Sequence, residues 1–209
     1  MCKPDIILIG AGGHAHACID VIEQHGQFKI AGLVGLHSEM HHHHLGYSVI
    51  ATDDDLPQLQ AEYCYAFITL GQILTPEIRI RLYHQAIHLG FQLPVIIAPT
   101  AYVSPHASFG SGTIIMHGAI VNAGSSVGDN CIINNRSLIE HDATVENHCH
   151  ISTGAILNGG VKIGIGSFIG SGSVIKEGVI IGAGCVVGMN LSVRHNLIDL
   201  SIFRGIDQS

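Results

Sequence analysis

A small α/β domain with a short parallel sheet, followed by an all-β parallel β-helix of about five coils, is the fold class this sequence predicts. Three observations predict it. Short apolar runs alternate with helical patterning up to about residue 97. From Val103 an apolar residue recurs at every sixth position. The chain has 26 Gly and no Trp among 209 residues, with 47% hydrophobic but only 12% charged residues. A core must therefore be built from Val, Ile and small side chains, which suits stacked strands.

In the first half, DIILI at 5–9 is a buried strand that ends at Gly10. HACIDVIEQHG at 16–26 carries apolar residues at helical spacing and has Gly26 as its stop signal. KIAGLVG at 29–35 and YAFITLG at 65–71 are further strands, TPEIRIRLYHQAIHLG at 75–90 is helical, and QLPVII closes the region. Strands alternating with helices imply a parallel sheet with helices on its faces. This domain spans 1–97, and the second domain spans 98–209. MHHHH at 40–44 precedes Gly46 and reads as a loop, able to pick up metal incidentally but without the spacing of a dedicated site. TDDDLPQL at 52–59 starts a helix, with its acids near the positive end.

The second half follows a different rule. Every sixth residue from Val103 to Val187 is apolar, fifteen in succession, and most residues four places after each are small. This is a hexapeptide repeat, the signature of a parallel β-helix. Three hexads close one coil of 18 residues, and coils stack at about strand spacing, ~4.8 Å. Residues 18 apart therefore form columns. Cys131, Cys149 and Cys185 share an interior column with Ser167 and read as small residues filling a slot. Thr153, Ser171 and Met189 form another column, a strip along one edge. His141 is the third residue of its hexad, with Ala123 and Gly159 before and after it in its column. The small neighbours leave room for a ligand, although spacing alone equally suits a surface histidine on a turn. Glu140 and Asp142 flank it, and a carboxylate near the ring would raise its basicity and fix its tautomer. His150 lies half a coil away and could share a groove with His141 only across a subunit boundary or a bent face.

Net charge is −7 with His neutral, which disfavours a phosphate-tracking nucleic-acid surface. No apolar run reaches membrane-spanning length, the N-terminus lacks signal-peptide features, and the six cysteines show no framework spacing; these features lead to the expectation of a cytoplasmic protein. Gly10, Gly12 and Ala15 match the dinucleotide pattern G-x-G-x-x-A, but Gly35 and Leu36 stand where a ribose-binding acid is needed, which argues against NAD. The preferred reading is a loop whose amides meet the phosphates of a nucleotide, with Gly12, Gly13 and His14 closest. A purely structural turn is the alternative.

GAGGHAHACIDVIE opening an α/β domain, followed by an uninterrupted hexapeptide β-helix carrying IEHD, resembles the bacterial sugar acetyltransferases that include sialic acid O-acetyltransferases and N-acetyltransferases of nucleotide-linked 4-amino-4,6-dideoxy sugars. The resemblance covers residues 5 to about 190. It implies a left-handed β-helix and a homotrimer, acetyl-CoA between neighbouring helices as cosubstrate, and no required metal. It implies His141 as catalytic base with Asp142 beside it, the Gly159 amide facing the acetyl carbonyl, and cofactor contacts from His150, Ser171 and Met189. Nucleotide contacts fall on Gly12, Gly13, His14 and Gly71. The expected reaction is N-acetylation of the sugar's 4-amino group by direct attack on the thioester. O-acetylation of a free sugar such as sialic acid, and a non-catalytic nucleotide-binding β-helix, are the alternatives. Two departures stand out: Gly35 and Leu36 replace paired acids after the second strand, and RHNLIDLSIFRGIDQS lacks a Gly-x-Pro close.

Overall fold

The computed structural model describes residues 3–205, so Met1, Cys2 and the last four residues of the C-terminal tail lie outside it. It divides into two compact units. The first runs to Gly71 and resumes over Glu77–Ile96; the second comprises Gln72–Pro76 and the chain from Ile97 onward.

The first unit is a five-stranded sheet in the order β3-β4-β2-β1-β5. Its strands are β1 (Asp5–Ile9), β2 (Lys29–Gly35), β3 (His43–His44), β4 (Tyr47–Thr52) and β5 (Tyr65–Ile68). All neighbours are parallel except β3 and β4, which form an antiparallel hairpin. The polyhistidine run is thus part strand rather than wholly loop. Leu45 and Gly46 both adopt positive φ, 50° and 91°, which is the backbone a two-residue hairpin turn demands. The helices are α1 (Gly13–His25), α2 (Leu56–Glu62) and α3 (Glu77–Leu89). Gly26 ends α1 in the left-handed region, φ 74°, and its N–H bonds the Ile22 carbonyl at 3.1 Å, as its stop-signal role requires. Asp55 folds back to accept from the Thr52 N–H at 2.8 Å, so the acidic run does start a helical segment. Ile7, Ile9, Val34 and Ile68 pack with Leu82, Tyr83 and Ala86 of α3.

The second unit is a left-handed parallel β-helix built from two-residue strands in three parallel sheets. Up to Val193 the strands pair in register with the residue 18 positions on, as in Ile120↔Leu138, Thr144↔Lys162 and Ile132↔His150, and the last pairing, Val186↔Ile202, shortens to 16. The hexad aliphatics from Ile115 to Val193 point inward and are essentially inaccessible, whereas Val103 and Phe109, in the first coil, are half-buried. Each fully buried Ile or Val contributes on the order of 1.5–3 kcal/mol relative to exposure.

The small-residue position also carries polar bonds. The Ser167 hydroxyl donates to the Gly182 carbonyl at 2.8 Å and accepts from the Cys185 N–H at 2.9 Å. Thr113 does the same between the Gly128 carbonyl, 2.7 Å, and the Cys131 N–H, 2.9 Å. Cys131 and Cys149 direct their thiols at the Glu146 and Gly164 carbonyls, 3.1 and 3.2 Å. All three column cysteines are free and buried, as slot-filling residues should be. Among the described residues, no helix is long and apolar enough to cross a membrane and no three His, Cys, Asp or Glu side chains gather as a metal site.

Candidate active site

His141 sits where one short strand, Leu138–Ile139, gives way to a turn. In the corresponding turn of successive coils, Gly124, Asp142, Gly160 and Gly178 all take positive φ. Asp142 is the only one of the four with a side chain, and Asn and Asp are the non-glycine residues best suited to that conformation. The turn also explains why adjacent residues can touch: His141 and Asp142 do not alternate across a strand, and His141 Nδ1 donates to Asp142 Oδ2 at 2.9 Å. Gly124 matters for the same contact, because a Cβ there would run into Asp142 Oδ1.

With Nδ1–H committed to Asp142, Nε2 carries the lone pair. It lies against Gly159: a Cβ at that position would be 2.7 Å from His141 Nε2. Any residue but glycine would therefore displace the ring. The hydrogen bond from Asp142, followed by the charges of Asp142 and Glu140, raises the His141 pKa above its ordinary value. Glu140 holds a different station. Its Oε2 accepts from the His141 backbone N–H at 3.2 Å and from Asn122 Nδ2 at 3.0 Å. Of the two flanking acids, Asp142 is the one that holds the ring. The dyad opens on a groove lined by Glu140, His141, Asn158, Gly159, Glu177 and Gly178.

Three other residues singled out in the sequence lie elsewhere on the β-helix. Ser171 and Met189 are exposed and stacked, with the Asn190 N–H bonding the Ser171 carbonyl at 2.7 Å, and they belong to a different corner of the coil from His141. His150 is buried within the strand His150–Ile151. Its Nδ1 donates to the Gln72 carbonyl at 2.7 Å and its Nε2 lies 3.1 Å from Asn134 Nδ2. Gln72 Nε2 in turn donates to the Gly166 carbonyl at 3.0 Å. These bonds hold Gln72–Pro76 to the second unit, an arrangement for which the sequence offers no local signal.

In the first unit, Gly12 caps α1 in an extended conformation and neither Gly12 nor Gly13 has any atom within 4 Å of where a Cβ would stand. The chain is thus uncrowded on the Cβ side of both glycines, at the start of a 13-residue helix and at the carboxyl ends of parallel strands. Gly10, at φ 119°, turns the chain, and its N–H bonds the Val34 carbonyl of β2 at 2.8 Å. Gly71 lies beside His14, 3.4 Å from Cβ to Cβ if a side chain were added. Burial, and secondarily the charge of Arg79, depress the His14 pKa to about 4, so the ring is neutral. Arg79 is itself buried and donates to the Leu70 carbonyl at 2.6 Å.

A three-sided coil of hexads with a histidine–carboxylate pair at one corner defines a hexapeptide-repeat acyltransferase. The PglD N-terminal domain model matches residues 5–86, and the hexapeptide repeat of succinyl-transferase matches 160–194. A variant of perosamine N-acetyltransferase from Caulobacter crescentus, solved with CoA and GDP-perosamine, superposes with a TM-score of 0.92 at 31% identity, covering 99% of this chain and 96% of that one. PerB from the same organism, with the same ligands, gives 0.91 at 32% identity, covering 99% and 96%. The acetyltransferase domain of PglB from Neisseria gonorrhoeae, with acetyl coenzyme A, gives 0.88 at 31% identity, covering 96% of each chain. No curated protein sequence matches significantly. The chain belongs to this family of acetyl-CoA-dependent sugar N-acetyltransferases.

Proposed function

We propose that this protein moves the acetyl group of acetyl-CoA onto the 4-amino group of a nucleotide-linked 4-amino-4,6-dideoxy sugar, with His141 as general base. The observation that carries this reading is the His141–Asp142 pair, with Nε2 free to accept a proton and directed at a glycine. The relatives solved with CoA and GDP-perosamine support the substrate class.

In the reaction, the amine nitrogen attacks the thioester carbonyl carbon. As the C–N bond forms, His141 Nε2 takes the amine proton and Asp142 stabilises the imidazolium. The Gly159 N–H, which makes no hydrogen bond among the described residues, is placed to stabilise the oxyanion. Collapse breaks the C–S bond, and the CoA thiolate leaves and regains a proton from the imidazolium. Holding both substrates in line supplies much of the remaining rate. Three buried cysteines are poorly suited as acyl carriers: burial raises the thiols of Cys18, to about 12, and of Cys149 and Cys185. Gly12, Gly13, His14 and Gly71 hold the nucleotide, and His150, Ser171 and Met189 serve the cofactor. His141 and the Ser171–Met189 strip occupy different corners of the β-helix, so a cofactor that meets both lies between two copies. This supports a homotrimer.

The test is thiol release from acetyl-CoA with a panel of nucleotide-linked amino sugars and their hydroxyl counterparts. Wild type should turn over an amino sugar, and His141→Ala should lose about two to four orders of magnitude in rate while remaining folded by circular dichroism. Near wild-type turnover in that variant would remove the base assignment.

A further inference from the structure

The first unit supplies the acid that its sequence lacks at the end of the second strand. β2 ends at Gly35, and the next residues, His37–Glu39, make a single 3₁₀ turn. That turn brings Glu39 back over the strand end, where its Oε2 accepts from the Leu36 N–H at 2.8 Å. A Cβ on Gly35 would be 2.8 Å from this oxygen and 3.0 Å from the Ala11 Cβ of the glycine loop. Glycine at 35 is thus what allows a carboxylate, delivered from four residues later, to stand beside the glycine loop, where Gly12 and Gly13 are uncrowded. The second carboxylate oxygen, Oε1, makes no hydrogen bond among the described residues. Leu36, 66% exposed, adds an apolar surface next to it.

We infer that Glu39 is the specificity-determining residue that selects a guanine nucleotide as the carrier of the sugar. This rests on the first unit holding the nucleotide, as proposed above. A carboxylate beside a base rewards adjacent donors and penalises carbonyls. Guanine presents N1–H and the 2-amino group side by side. Uracil and thymine present one N–H between two carbonyls, and adenine offers its amino group beside an acceptor. Only guanine matches a carboxylate with two parallel donors, the geometry of the stronger charge-assisted pairs. Leu36 gives the base a face to lie on.

The experiment is titration calorimetry of the full chain with GDP, IDP, UDP and dTDP, for wild type and Glu39→Gln. The Gln side chain keeps a carbonyl oxygen to accept the Leu36 N–H, so the turn survives, but it replaces the other oxygen with an amide donor. Wild type should bind GDP at least about tenfold more tightly than UDP or dTDP, with IDP, which lacks the 2-amino group, between them. Glu39→Gln should weaken GDP by about 10–100-fold, the loss expected for hydrogen bonds to a charged acceptor, and change UDP by less than about threefold. Equal weakening of GDP and UDP would mean that Glu39 reads the shared ribose, and that outcome overturns the inference. So does a wild type that binds UDP or dTDP as tightly as GDP, an unchanged GDP affinity in the variant, or no nucleotide binding at all. Acetyl transfer to an amino sugar carried by UDP or dTDP would leave the proposed reaction standing while removing Glu39 from its specificity. Absence of thiol release with every amino sugar nucleotide would instead remove the reaction.

Discussion

Asp142 meets two demands at one position. Its backbone takes the left-handed conformation, φ 59°, and its carboxylate accepts from His141 Nδ1 at 2.9 Å. Asn satisfies the first demand and keeps an oxygen that can accept from Nδ1, but it carries no charge. Asp142→Asn should therefore fold normally yet lose at least about tenfold in rate, because the imidazolium loses its counter-charge. The sign of its pH effect is fixed. Asp142 raises the His141 pKa, and the base works only when deprotonated, so wild-type activity falls as pH falls through that raised value. Removing the charge lowers the pKa, so the acid limb of kcat/KM should move to lower pH; a limb that stays in place would separate Asp142 from the titration. Cys149→Ser is the matching control: its thiol is buried and raised, and turnover should stay within about twofold of wild type in the thiol-release assay. At this scale the sequence singled out His141 but left open which acid meets its ring, and the structure puts Asp142 there. The order Glu-His-Asp is symmetrical on paper, and only the turn geometry breaks the symmetry.

At the scale of the element, the hexad is legible because its rule is local and repeated. An aliphatic residue pointing inward every sixth position is what a narrow three-sided coil demands, and Ile115 through Val193 obey it. The turn positions 124, 142, 160 and 178 were not read as a column, and the other corners also carry non-glycine residues at positive φ, Asn130, Arg136, His148 and Asn190. Less visible was the hydrogen-bonding work of the small interior residues, since Ser, Thr and Cys read as fillers. Ser167→Ala would leave both the Cys185 N–H and the Gly182 carbonyl unsatisfied in a dry interior. The expected cost is about 1–3 kcal/mol, which corresponds to a fall in Tm of roughly 3–10 °C in a chain of this size. Calorimetry measures it, and rates at low temperature should be unaffected. The hairpin at His43–Thr52 was missed because its first strand is two histidines long and its turn includes Leu45, a residue with no preference for positive φ. Glu39 escaped notice for a related reason: an acid was sought at the strand end itself, and a single tight turn carries it there from beyond.

For the whole molecule, length, repeat and glycine loop together predicted an α/β unit followed by a β-helix, and the structure has both. What no local rule could reach was the pairing of distant segments. Gln72 meets His150 across 78 residues of sequence, and nothing near either position announces it. Assembly belongs to this scale as well. Tyr102, Ile120 and Ile180 are exposed on the β-helix, the kind of apolar surface that a like copy covers. Light scattering should give a mass of three chains, and a monomer would leave His141 without a cofactor strip at a neighbouring corner. Finally, the in-register stacking at 18 residues has a consequence for how such a gene can change. Losing or gaining one codon within a strand puts every later side chain on the wrong wall, so it survives only as a bulge at a corner. A whole coil, by contrast, can be duplicated or deleted without disturbing its neighbours, provided that the corner bearing His141 keeps a glycine on the next floor. The length of this half of the protein is therefore free to evolve in steps of 54 nucleotides, three for each residue of a coil, and is constrained in almost any smaller increment.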